Sequence, residues 1–226
     1  MSITLRAPRI ALFSGSARQG SFNTKLVDAA HTHLQALGAE ARILDLSSYE
    51  LPLYHQDLEA SSGLPEAALS LKGTLQEADA WVVASPEYNG FPSPLLINAY
   101  TWMSRGDKPE DGMYATFRNK LALVMGASPG AMGGLRAIQP HHQLLSNLGV
   151  TVLPQTVAIG GAMKAFQDDH SLVDPKQDTI LQSAVQNLFE SARDVANRDS
   201  MCELVKQHGH TESAGDYGAV SMPSST

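Results

Sequence analysis

Cysteine is almost missing from this chain: one residue, Cys202, in 226. A single thiol excludes an intrachain disulfide and any iron–sulfur or zinc centre built from several cysteines, and it suits a reducing compartment. Basic residues are scarce as well. Sixteen Lys and Arg against 23 Asp and Glu leave a net charge of −7, so the chain offers no electrostatic footprint for nucleic acid. No apolar run approaches the ~18 residues of a membrane-spanning helix, and residues 1–8 lack the apolar core of a secretory signal. These absences predict a cytoplasmic protein with neither a nucleic-acid nor a membrane partner.

What is present is a hydrophobic content of 43%, enough for one compact core. Ile10-Ala11-Leu12-Phe13 is a continuous apolar run, the pattern of a strand covered on both faces. Residues 79–85 and 121–125 repeat that pattern, and residues 150–153 with 156–159 read as one fifth strand interrupted at Pro154. Ala41, Ile43 and Leu46 mark a further short strand. Between these runs lie helical periods. Phe22, Leu26, Ala30, Leu34 and Leu37 form one, stopped at Gly38; residues 64–77 form a weaker one; residues 94–103 open on a proline. Leu135, Ile138, Leu145 and Leu148 share a face closed by Gly149, and Asp174-Pro175-Lys176-Gln177 caps a last stripe running from Leu181 to Val195. Residues 47–63 read as irregular and 105–119 as a charged loop. Five strand–helix alternations without a repeat predict a single three-layer α/β domain with a five-stranded parallel sheet over residues 9–197. Residues 1–8 are then an extension, and the polar composition of 198–226 predicts a disordered tail.

Parallel sheets bind ligands beyond the carboxyl ends of their strands, which directs attention to three loops. The first, Ser14-Gly15-Ser16-Ala17-Arg18-Gln19-Gly20-Ser21-Phe22-Asn23-Thr24, runs from strand into helix. Backbone N–H groups and the positive end of a helix suit a phosphate, and Arg18 can add a two-pronged, charge-assisted contact. Only two glycines are present, so the dinucleotide fingerprint fails, and Ser21 stands where a triphosphate loop needs lysine. A monophosphate fits best. The second loop, residues 85–94, is stiffened by Pro86, Pro92 and Pro94 and offers Tyr88 and Phe91 to a flat ring. The third, Ser128-Pro129-Gly130-Ala131-Met132-Gly133-Gly134, carries glycines that permit close backbone approach.

Gly15-Ser16-Ala17-Arg18 with Ser21 and Asn23, then Pro86-Glu87-Tyr88-Asn89-Gly90, then Ser128-Pro129-Gly130 with Gly133-Gly134 and Arg136, closely resemble the NAD(P)H-dependent FMN reductase family. The resemblance runs from Arg9 to near Asn197. It implies a flavodoxin-like fold, FMN as cofactor, NADPH or NADH as cosubstrate, and a homodimer or homotetramer. By position it implies that Ser16, Arg18, Ser21, Asn23 and Thr24 hold the FMN phosphate. Pro86, Glu87, Tyr88, Asn89 and Gly90 wrap the isoalloxazine, and Ser128, Pro129 and Gly130 flank the ring or the ribityl chain. Family members often carry Gly-x-Leu-Lys-Asn-Ala-Ile-Asp-Trp after the second motif. Here Pro94-Leu95-Leu96-Ile97-Asn98-Ala99-Tyr100-Thr101-Trp102 keeps Asn98, Ala99 and Trp102 and lacks the Gly, the Lys and the Asp.

The expected activity is transfer of reducing equivalents from NAD(P)H, through flavin, to a small-molecule acceptor: free flavin, a quinone, an azo compound, a metal oxyanion or oxygen. The redox chemistry is the cofactor's, so no catalytic side chain is assigned. No metal site is expected, because neither His141-His142 nor His208-Gly209-His210 has carboxylates at ligand spacing. Residues 167–170 read as a solvated acidic turn, and Met132 and Met163 as loop cover for an apolar pocket or as packing. The alternative from another class is a flavodoxin-like electron carrier that holds FMN without turning over nicotinamide. The first loop lacks the Thr-Gly-x-Thr form of such carriers.

Overall fold

A computed structural model describes residues 5–107, 112, 114–198 and 202. The tail reading for residues 198–226 and the start of the extension at 1–4 fall almost wholly outside these, as do residues 108–111 and 113 of the charged loop.

Six strands are present: β1 (Arg9–Ser14), β2 (Glu40–Leu44), β3 (Ala80–Ala84), β4 (Leu121–Ala127), β5 (Thr151–Val152) and β6 (Val157–Ile159). They pair in the order β2-β1-β3-β4-β5, all parallel, with β6 also on β4. β3 already covers residues 121–125 on one edge of β4, so β5 and β6 share the other edge, opposite residues 121–122 and 125–127. They are two halves of one strand position, broken around Pro154 because proline has no N–H for the ladder. The fold is flavodoxin-like, as expected from the motifs.

The helices are α1 (Phe22–Ala36), α2 (Gln56–Ser62), α3 (Glu66–Glu77), α4 (Pro94–Met103), α5 (Leu135–Asn147) and α6 (Pro175–Ala196). Alternate residues of the buried strands supply two cores, as the two-residue period of a strand dictates. Ile10, Leu12, Val82 and Met125 pack with α1 and α6. Ala11, Phe13, Trp81, Val83 and Val124 pack with α3, α4 and α5. Trp81 stands edge-on to both Phe13 and Phe117, with ring centroids 6.3 and 5.5 Å away.

Two local readings are corrected. Residues 47–63 are not wholly irregular: they contain α2, capped by the His55 ring, which accepts from the Asp57 N–H. None of its residues is buried, so it has no apolar stripe for a periodicity argument to find. In β2, Ile43 is exposed while Leu44 and Leu46 are buried, and Leu46 lies in a 3₁₀ turn past the strand. An edge strand is covered on fewer sides, and its apolar pattern is correspondingly weak.

Strand order reverses between β1 and β3. The chain leaves β1 toward α1 on one face and leaves β3 toward α4 on the other. A crevice opens between the two exits, where α/β sheets bind ligands.

Candidate functional site

The first loop grows directly out of β1. The Gly15 N–H donates to the Ala84 carbonyl at 2.8 Å, prolonging the β1–β3 ladder by one residue. A Cβ on Gly15 would lie 2.4 Å from Leu96 and 2.6 Å from the Ser93 hydroxyl, so only glycine lets the loop pass this close to α4. The chain then curls on its own hydroxyls. The Ser16 N–H donates to the Ser14 Oγ at 3.2 Å and the Arg18 N–H to the Ser16 Oγ at 3.3 Å. Ser21 caps α1, its Oγ accepting from the Asn23 N–H at 3.2 Å. The N–H groups of Ala17, Gln19, Gly20 and Ser21 find no partner among the described residues. Arg18 is exposed, reaches the Gln19 carbonyl at 3.4 Å and stands 5.3 Å from the Phe22 ring. No carboxylate pairs with it among the described residues. Unsatisfied donors and an unpaired guanidinium at a helix start are what an anion requires.

Asn23 has a different task from its neighbours. Its Nδ2 donates to the Ala127 carbonyl at 3.1 Å and its Oδ1 accepts from the Ala127 N–H at 2.9 Å. Both polar groups of the side chain are thereby committed, and the residue is 4% exposed. What Asn23 brings to the site is position: it ties the start of α1 to the end of β4, and so the first loop to the third.

The second loop is a tight turn. Tyr88 and Phe91 exchange two hydrogen bonds of 3.0 Å, with Asn89 at φ 54° and Gly90 at φ 82° between them. Positive φ at both central positions is the requirement of a type I′ turn, and Asn-Gly is the pair that meets it at least cost. Tyr88 and Phe91 are consequently held in solvent. The N–H groups of Asn89 and Gly90 have no partner among the described residues. Ser85 closes the base of the loop, its Oγ accepting from the Ser93 N–H at 3.3 Å and donating to the Pro86 carbonyl at 2.9 Å.

The third loop lies on β6 and the turn after it. The Ser128 N–H donates to the Ile159 carbonyl at 3.0 Å, and the Ser128 carbonyl accepts from the Ala162 N–H at 3.1 Å. Gly133, at φ 61°, passes so close to Ala158 and Ile159 that a Cβ would lie 2.6 Å from their backbone. Glu87 and Arg136 join the second and third loops through an ion pair of 2.5 Å. Motif reading picks out both residues but gives no sign that they meet.

Nine of the expected residues line one cleft of about 500 Å³: Ser16, Arg18, Ser21, Asn23, Pro86, Glu87, Tyr88, Ser128 and Pro129. Thr24 faces an adjoining cavity of about 450 Å³ that shares Ser16, Arg18 and Ser21 with the cleft. Asn89, Gly90 and Gly130 line neither. The first two form the tip of their turn, while the Gly130 carbonyl is taken up by the N–H groups of Gly133 and Gly161. Phe22, Ala127 and Met163 complete the cleft wall. Phe22 stacks on Phe166 with ring planes 9° apart, a long-range contact that periodicity reads simply as core. Among the described residues, no three His, Cys, Asp or Glu gather as metal ligands.

A strongly perturbed pair of ionisable groups lies elsewhere. Burial, reinforced by the neighbouring His142, pushes the His141 imidazole down to about 3. Its Nε2 is 2.9 Å from the Tyr100 hydroxyl, whose pKa burial raises well above the usual phenol range. This pair packs between α5 and α4 in the core and touches no part of the cleft.

The model of the NADPH-dependent FMN reductase family matches residues 8–164. The chain belongs to that family. An NAD(P)H-dependent FMN reductase of Pseudomonas aeruginosa is 35% identical over 176 residues, covering 77% of this chain and 90% of the relative. A quinone reductase of Escherichia coli K12 is 29% identical, covering 76% and 85%. Among solved structures, FerB, a flavoenzyme NAD(P)H:(acceptor) oxidoreductase from Paracoccus denitrificans, superposes with a TM-score of 0.69 at 27% identity, over 84% of this chain and 98% of FerB. Membership makes the chain an FMN-dependent oxidoreductase that uses NAD(P)H. The matched segment contains all three loops, and the turn of Ala162–Lys164 that supplies Met163 closes it.

Proposed function

We propose that the cleft at the carboxyl edge holds FMN, with its phosphate against the loop of residues 16–24 and its ring between the second and third loops, and that the acceptor is a quinone. One observation carries the binding assignment: Arg18, without a carboxylate partner among the described residues, and Ser21, with its N–H unpartnered among them, line the same cleft as Tyr88, Pro129 and Met163, and the adjoining cavity takes in Ala17, Gln19 and Gly20 with their N–H groups. An anionic end and an apolar, aromatic end are what a phosphate joined to a flat ring demands. Bound there, FMN supplies the capacity to accept hydride and release electrons. The protein's part is placement. Arg18 and the start of α1 neutralise the phosphate, the Glu87–Arg136 bridge fixes the two walls, and the N–H groups of Asn89 and Gly90 supply oriented donors at the tip of the second loop. The ionisable side chains of the cleft wall are Arg18, Glu87 and Tyr88, and none is assigned a proton transfer. The quinone is favoured because curated relatives from Escherichia coli and rice carry that substrate in their names.

The chain acts as a homo-oligomer in the cytoplasm on this reading. The Pro52 carbonyl accepts from Asn98 Nδ2 at 3.0 Å and from Trp102 Nε1 at 2.8 Å, while the Tyr54 N–H donates to Asn98 Oδ1 at 2.8 Å. This clamp gives a task to two residues that α4 keeps from the family pattern. It holds Leu53 out, 84% exposed, on a molecule that also exposes Ile97 and Phe91, apolar area suited to a second copy. Among the described residues no helix is long and apolar enough to cross a membrane.

The test is anaerobic oxidation of NADPH or NADH by the FMN-loaded protein, with and without benzoquinone. Nicotinamide loss that requires the quinone supports the reading. A yellow protein that leaves both nicotinamides intact identifies an electron carrier and overturns it, as does failure to take up FMN. Sedimentation as a monomer overturns the oligomer.

A further inference from the structure

The cavity that Thr24 faces has a task in this reading on one side only, where Ala17, Gln19 and Gly20 of the phosphate loop line it. It shares Ser16, Arg18 and Ser21 with the cleft and then departs from it. The wall that faces away from the phosphate loop comes from Lys25 on α1, from Asp45 and Ser47 just past β2, and from His170 ahead of α6. Its volume, about 450 Å³, lies in the range of small-ligand sites.

The chemistry of that wall is specific. The Lys25 ammonium has no partner among the described residues, so the cavity holds a second unpaired cation beside Arg18. Asp45 spends one oxygen and keeps the other. Its Oδ1 accepts from the Ser47 N–H at 2.9 Å and from the Ser47 hydroxyl at 2.7 Å, while Oδ2 has no partner among the described residues. His170 is fixed to α1, its Nδ1 2.7 Å from Asp28 Oδ2, and its backbone at φ 68° belongs to a built turn. The first loop lacks the dinucleotide glycines, but the Asp45 carboxylate just past the second strand stands where βαβ units read the hydroxyls of a ribose whose phosphate lies on the first loop. A chain of net charge −7 gathers cations here, next to a loop that already suits one phosphate.

We propose that this cavity is a subsite for an adenylate joined by a pyrophosphate to the flavin phosphate, so that the chain holds FAD as well as FMN. Lys25 pairs with the second phosphate, and Asp45 Oδ2 accepts from a ribose hydroxyl. The proposal rests on the FMN reading of the cleft and extends it past the phosphate loop.

The test is equilibrium dialysis of flavin-free protein against FMN and against FAD, with the bound flavin checked by chromatography. FAD is expected to bind within roughly tenfold of FMN. Lys25→Ala should weaken FAD by about tenfold, the loss of one charge-assisted contact, and leave FMN unchanged. Asp45→Asn, which keeps an Oδ1 for the Ser47 contacts, should weaken FAD alone. Binding of FMN without FAD overturns the subsite and leaves the FMN site standing. Equal weakening of both flavins by Lys25→Ala also overturns it. So does an unchanged FAD affinity with a raised KM for NAD(P)H, since the adenylate would then be the cosubstrate's. If neither flavin binds, the FMN reading fails and the subsite with it.

Discussion

At the amino ends of the strands, charge is matched almost atom by atom. Asp79 accepts from Arg6 Nη1 and Nη2 at 2.7 and 2.6 Å and from the Arg9 N–H at 2.8 Å. Asn197 donates to the Arg6 carbonyl and accepts from the Arg6 N–H, pinning the end of α6 to the start of the chain. Lys120 Nζ donates to the carbonyls of Gln76 and Ala78, both at 2.6 Å. At the carboxyl ends of the same strands, Arg18 and Lys25 have no carboxylate, and the backbone N–H groups of Gln19, Gly20 and Ser21 no acceptor, among the described residues. A cavity of about 410 Å³ lies at the amino edge too, along β1 and β2, and its wall includes Arg42, which has no ion pair among the described residues, so neither volume nor one open cation separates the two ends. The open backbone N–H groups beside Arg18 do. A donor satisfied within the protein gains nothing from a ligand, whereas one left open gains a contact that water had been supplying.

The sharpest way to break that comparison is Arg18→Ala, which should weaken FMN about a hundredfold, on the scale of losing a bidentate ionic contact, and leave riboflavin unchanged. Titration with both ligands checks it, and equal weakening would remove the phosphate role. Asp79→Ala should do the reverse. It should cost about 2 kcal/mol of stability in urea unfolding, because the Arg9 backbone N–H and both guanidinium nitrogens of Arg6 lose their acceptor, with FMN affinity intact.

The three loops were legible in the sequence because each depends on small, locally specified features. The proline stiffening of the second loop and the glycines of the third follow from residues within a few positions of one another; the Asn89-Gly90 turn and the Ser21 cap are equally local, but the motifs gave those residues ligand roles instead. Asn23 was legible as a candidate site residue but not as a tie between two loops, since its partner Ala127 lies 104 residues away. The Glu87–Arg136 bridge and α2 were not legible at all: one is a meeting of two loops, the other a helix without a buried face.

A third place, between the two ends, gives a smaller, pH-dependent effect. His141 is held at about 3 in the folded chain, against ~6.5 when unfolded. Above pH 6.5 both states are neutral and no stability is lost. Below it the unfolded chain takes up a proton that the folded chain refuses, so stability falls as pH drops toward 3. His141→Gln keeps a partner for the Tyr100 hydroxyl and removes the titration. The wild type should therefore lose about 2 kcal/mol more than the variant between pH 7 and 5, read from urea midpoints. The smallest effect is expected from Arg136→Ala. Arg136 is 69% exposed, so the bridge contributes under ~1 kcal/mol to stability. A rise of a few fold in the KM for quinone, with the melting temperature unchanged, would place its role in holding the cleft walls.

By itself the sequence determined the alternation of strand and helix, the break at Pro154 and the residue types each loop presents. Period, proline and glycine act over a few residues, and that is the range over which a chain can be read without its fold. The tertiary structure decided which loops share a cleft, that Asn23 is a tie, that Glu87 meets Arg136, and that Asp45, Lys25 and His170 enclose a second cavity beside the phosphate loop. These depend on strand order: placing β1 between β2 and β3 brings residues far apart in the chain to one edge of the sheet, and nothing in their local sequence records the meeting.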